Sequence, residues 1–253
     1  MDAKIQKSSE PLITNRPASL VMKLARMGSF HQSRLSFMRV LLRRLKAENW
    51  QFRQAEWRID EGGVGVATYE AIGPERTYTL VVFAHDLPEE KRSDRVIAEA
   101  WDATFTLHDG TISQDDITRL AANVPRQEAG RISGQELVLS RANRSVRLFD
   151  YVVDCLAKGE QPKKHKIEPI GYLMRTTAVY GSGKFGAADR SHWADRAEFA
   201  GSFQPELLAV WLIRSFTIDI VEHIARQRAP KTAIKLDPDI RRRIGVGNST
   251  GLG

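Results

Sequence analysis

The richest grouping of acids, bases and anion binders runs Asp189-Arg190-Ser191-His192-Trp193-Ala194-Asp195-Arg196-Ala197-Glu198. An imidazole changes charge near neutral pH, so His192 is the natural acid or base of this run, with Asp195 three residues on to orient it. Arg190 and Arg196 offer guanidinium forks for an anionic group. The spacing of His192, Asp195 and Glu198 also fits one face of a short helix carrying ordinary ion pairs. Just upstream, Tyr180-Gly-Ser-Gly-Lys-Phe-Gly186 follows a strand-like run. There Gly181 and Gly183 let backbone amides approach an anion, and Lys184 adds a charge. A Walker A loop is excluded, because Ala178 stands where its first glycine belongs and Phe185 where a hydroxyl must follow the lysine. The expected site therefore has His192 and Asp195 as catalytic groups, with Lys184, Arg190, Arg196, Gly181 and Gly183 around the substrate, an anionic small molecule.

Other residues carry less chemistry. The six histidines form no pair at zinc-site spacing, and the single Cys155 has no partner, so no metal is assigned. Cys155 sits in an apolar helical pattern and reads as a buried, unreactive thiol. His85-Asp86 and His108-Asp109 end successive strand-like runs, but antiparallel neighbours would place them at opposite ends of a sheet. The glycines from Gly247 to Gly253 space like a dinucleotide-binding turn, yet they follow Asp239-Ile-Arg-Arg-Arg-Ile244 rather than a buried apolar strand. No cofactor is assigned. Arg214 interrupts an apolar helix, where an isolated charge is costly, so it requires a partner from another segment, a carbonyl cluster or a bound anion; a structural ion pair is the expected one.

The elements that must position these residues follow from periodicity and charge. At 253 residues and 42% hydrophobic content, the chain can bury a core, which excludes disorder throughout. The apolar run Leu207 to Ile224 is broken by Arg214, Asp219 and Glu222, each costly inside a bilayer, so it belongs to a protein core and no membrane contact is expected. One cysteine and no secretory signal point to the cytoplasm. Residues 1–50 hold ten Lys/Arg against three Asp/Glu, whereas residues 51–110 hold six against twelve. A basic amphipathic helix over Arg34 to Lys46 makes a nucleic-acid- or protein-binding module the alternative function, although the neighbouring acidic segment can neutralise it.

Residues 1–16 read as a flexible tail, and helices follow over 18–27 and 34–48. Period-two alternation then predicts four strands, from Trp50, over Val64 to Ile72, over Thr77 to His85 and over Val96 to His108. Ser113 and Asp116 mark a helix start, a longer helix is expected over Gln135 to Lys158, and a strand over Tyr172 to Tyr180. A central helix runs from Pro205 to Arg226. The expected fold is α+β: a four-stranded antiparallel meander with N-terminal helices (17–110), then a mainly helical region with one further strand (111–230), then a basic, glycine-rich end (231–253) that fits a truncated chain. The expected function is a cytosolic enzyme, or part of one, acting on an anionic small molecule; a non-catalytic accessory domain is the third reading.

Overall fold

Alternating side chains make the first hairpins. In the computed structural model, described for residues 41, 43–91, 101–122, 124, 133–176, 193, 196–199 and 204–248, β1 is Gln51–Ile59, β2 Gly65–Ile72, β3 Thr77–Asp86 and β4 Trp101–Asp109. The β1–β2 turn is closed by Asp60, whose carboxylate accepts the N–H of Gly62 at 2.9 Å and of Val64 at 2.8 Å. Gly65 has φ +141°, and a Cβ there would lie 1.9 Å from the Arg58 carbonyl oxygen. Only glycine fits.

The sheet does not stop at four strands, and the expected four-stranded meander is corrected here. Helix α1 (Gln114–Ala121) is followed by β5 (Glu136–Arg144), α2 (Phe149–Ala157), the short α3 (Lys164–Ile167) and β6 (Tyr172–Thr176). The 25-residue α4 (Gln204–Arg228), α5 (Pro238–Arg243) and β7 (Gly245–Asn248) complete the described chain. The strands lie in the order β1 to β7, antiparallel through β6, with β7 parallel to β6, and the sheet curls into a half-barrel. The helix expected over Gln135 to Lys158 is half strand, because pairing of Leu137 with Leu107 and of Ala142 with Ala103 across β4 outweighs a local pattern that also fits a helix. The expected tail over 1–16, the helix over 18–27 and most of that over 34–48 lie outside the described residues; of the last, 43–47 are helical, and Leu41 and Leu45 are fully buried in the core.

Each strand divides its residues between two faces. Ala67, Tyr69, Leu80, Val82, Ala103 and Phe105 form the face under α4. Phe216 of α4 sits among these rings, edge-on to Phe105 at 6.0 Å and to Tyr69 at 6.4 Å. Burying one such side chain contributes roughly 1.5–3 kcal/mol. On the opposite face Val81 and Phe83 meet Ile117 and Leu120 of α1, whose first turn is capped by the Ser113 hydroxyl accepting from the Asp116 N–H. That face is otherwise polar and buried, with Thr79, Thr104, Thr106, His108 and Glu136 at most 4% exposed.

Candidate functional site

Three side chains break the apolar run of α4, and each needs a polar partner because burial strips it of water. Arg214 does not find the expected carboxylate. Its Nε donates to the Ile244 carbonyl at 2.7 Å and its Nη2 to that of Arg241, at the C-terminal end of α5, where helix carbonyls lack intrahelical donors. The guanidinium also lies 5.3 Å from the Trp211 ring centroid. Burial lowers its pKa, and the nearby Arg241 charge acts in the same direction. Glu222 accepts from Arg241 Nη2 at 2.6 Å and from the Leu236 N–H at 2.9 Å, fastening the segment after α4 back onto the helix.

Asp219 is the third. The Tyr69 hydroxyl, from the core face of β2, donates to its carboxylate at 2.8 Å. Burial pushes the Asp219 carboxyl above its usual range and the Glu222 charge adds to this, while the Tyr69 hydrogen bond acts in the opposite sense. Burial and the same carboxylate hold the Tyr69 phenol protonated far above its ordinary pKa. Tyr69 is therefore a fixed donor, and Asp219 is the group of the pair that changes charge.

Tyr69, Asp219 and Arg214 share a half-open cleft of about 260 Å³ between β1 and α4. Phe52, Leu212 and Ile218 supply an apolar part of its wall, Arg53 and Arg241 its further charges. The bulge between Gln54 and Glu56 shifts the register of edge strand β1 beside it. Arg53 is bonded through Nε to Glu70 at 2.6 Å with its side chain 63% exposed, so both terminal nitrogens face water. The three guanidiniums of the cleft meet two paired carboxylates, Glu70 and Glu222, and Arg214 has no carboxylate partner among the described residues. An acid whose pKa is raised by burial thus stands in one opening with a guanidinium that has no carboxylate partner among the described residues, an arrangement suited to binding an anion and exchanging a proton with it.

Of the residues picked out by sequence, Gly181, Gly183, Lys184, Arg190, His192 and Asp195 lie outside the described residues. Arg196 lies outside the cleft, at β3 and β4: Nη2 donates to Asp109 at 2.5 Å, Nη1 to the Tyr78 hydroxyl at 3.0 Å, and the guanidinium covers the Trp193 ring at 4.7 Å. Tyr78 in turn donates to Glu198, so Arg196 and Glu198 are anchored where β3 begins and β4 ends. The His-Asp pairs sit at opposite ends of the sheet, Asp86 opposite Trp101 and Asp109 opposite Tyr78. His108 bonds Glu136 at 3.1 Å, and Arg119 reaches the same carboxylate at 2.6 Å. Burial opposes the charge of Glu136, yet these bonds and two from Ser133 hold its pKa far below the ordinary range. The cluster fastens α1 to the sheet. Cys155 is half-buried beside Tyr151 rather than fully buried.

Sequence reasoning missed Tyr69 and Asp219 as a pair, although the polar interruptions of the apolar run pointed at Arg214, Asp219 and Glu222 together. Among the described residues no cluster of His, Cys, Asp or Glu is arranged to hold a metal ion, and no helix is long and apolar enough to cross a membrane. Fold and site define an α+β half-barrel with a charged cleft at the β1 edge. No protein-family model, curated protein or solved structure matches the chain.

Proposed function

We propose that the protein is a cytosolic enzyme that binds a small anionic molecule in the cleft between β1 and α4, with Asp219 exchanging a proton with it. The observation that carries this reading is the Asp219 carboxyl: half-buried, bonded to Tyr69, raised in pKa by its desolvation, and set in an opening with Arg214. Arg53 and Arg214 attract the anionic group, and Phe52 with Leu212 covers its apolar part. At about 260 Å³ the cleft lies below the roughly 300–1,000 Å³ of drug-sized sites, which favours a metabolite over a polymer segment. Lys184, Arg190 and His192 remain in the proposal as further substrate contacts to be tested beside it.

A thermal-shift screen of phosphate- and carboxylate-bearing metabolites tests the binding half, since a ligand of the folded state raises its stability. Arg53→Ala removes a rim charge and is expected to weaken the hit; it also leaves the 4%-exposed Glu70 carboxylate without this partner, so the melting temperature should fall as well, and circular dichroism checks that the fold remains. Asp219→Asn keeps an acceptor for Tyr69 but holds no exchangeable acid, so turnover of the hit should fall on the order of a hundredfold or more. Wild-type turnover by that variant would remove Asp219 from the mechanism, and a broad screen without any shift would remove the cleft.

A further inference from the structure

A second charged surface is formed by the segments before and after α4 that are laced together beside α5. Apart from Arg241, which lines the cleft, and Arg228, which bonds Asp154 at 3.0 Å, residues 158–168 and 228–243 together hold eight Lys/Arg against four Asp/Glu. The two segments are laced together along their length. The Ile234 N–H donates to the Leu156 carbonyl at 3.1 Å, the Thr232 hydroxyl to that of Ala157 at 2.6 Å, and Gln161 Nε2 to that of Lys235 at 2.8 Å. Arg243 bonds Glu168 at 2.9 Å. Their cations therefore form one surface rather than two tails.

Two of the four acids of this surface are taken up by its arginines, Asp239 by Arg242 and Glu168 by Arg243. Lys158, Lys163, Lys164, Lys231 and Lys235 are exposed and have no carboxylate partner among the described residues; Lys166 lies 4.6 Å from the Tyr151 ring centroid. What remains is a set of lysines on a fixed frame, each a compact, hydrated point charge.

We infer that this surface binds the phosphate backbone of double-stranded nucleic acid without reading its sequence. Three observations favour that partner. A protein partner would want aromatic and apolar anchors at the centre of the patch, where lysine is depleted, and the large apolar side chain exposed here is Ile234, at 37%. A membrane surface would want an amphipathic helix with an outward apolar face, but α3 and α5 have four and six residues and turn Ile167 and Ile240 inward. Single strands would want exposed rings for stacking, and Tyr151 is already covered by Lys166. Phosphates at regular spacing need only positive charge. This surface is separate from the cleft reading and stands or falls independently of it.

The test is fluorescence anisotropy of the full chain with a labelled 20-base-pair DNA duplex of mixed sequence. If about five phosphates are neutralised, raising salt from 50 to 200 mM should weaken binding by several hundredfold. Lys163→Gln/Lys164→Gln/Lys166→Gln and, separately, Lys231→Gln/Lys235→Gln should each weaken binding at 50 mM salt at least tenfold and flatten the salt slope by roughly one per lysine engaged. Two variants on different segments, each checked by circular dichroism, protect the test against misfolding of one. Absence of binding at 50 mM salt overturns the inference. So does binding that both variants leave intact, which would move it to the basic helix over Arg34 to Lys46, or tighter binding to phosphatidylserine vesicles than to the duplex.

Discussion

Asp219 and Glu136 are both carboxylates bonded to neighbours, and their surroundings drive them in opposite directions. Glu136 receives donors from His108, Arg119 and Ser133, which outweigh its burial. Asp219 receives one, from Tyr69, which does not. The consequences for stability have opposite signs. For Glu136, with a depressed native pKa, the contribution is present above the ordinary carboxylate pKa and is lost as pH falls through the native value. For Asp219, with a raised native pKa, it is fully present below about pH 3.9 and is lost as pH rises through the native value. Asp219→Asn should therefore gain stability relative to the wild type as pH rises from about 4 to 7, read as a widening difference in melting temperature across that range. A difference that stays flat would mean that Asp219 ionises as an ordinary surface acid does. Arg214 shows how far the residue scale was legible. That it needs a partner follows from its place in an apolar run, but that the partner is a pair of carbonyls depends on α5 returning to the helix from thirty residues on.

At the scale of elements, sequence reads best where one local rule suffices. The strands from Gln51 to Asp109 alternate and are separated by turn residues, so their existence follows from period two. β5 and β7 do not announce themselves. Leu137, Val138 and Leu139 in β5 suit either element until β4 offers them a ladder, and the glycines of β7 carry no pattern at all. The site was hidden for a related reason: Tyr69 and Asp219 are 150 residues apart, and only the packing of α4 on β2 joins them. Turn glycines give a sharper prediction. Gly65→Ala must move the Arg58 carbonyl, 1.9 Å from the new Cβ, and adopt φ +141°, so where an unstrained glycine replacement gains about 0.4–1 kcal/mol this one should cost on the order of 1–3 kcal/mol or more. Chemical denaturation would read this as a lower midpoint with an unchanged slope. A midpoint within error of the wild type would mean that the β1–β2 turn relaxes without strain.

Over the whole molecule, the half-barrel separates two kinds of polar group. Charges fully matched by partners, such as Glu136 with Arg119 or Asp109 with Arg196, fasten elements to the sheet. Charges left in surplus collect at two surfaces beside α5, the cleft lined by Arg241 and the lysine face. The defining property of the cleft is the raised pKa of Asp219. Carbon-13 NMR of the side-chain carboxyl, assigned by its loss in Asp219→Asn, measures that property without knowledge of any ligand. The account predicts a titration midpoint clearly above the ordinary aspartate value of about 3.9, because burial outweighs the single Tyr69 hydrogen bond. A midpoint at or below that value would make Asp219 an ordinary surface carboxylate and contradict the proposed site.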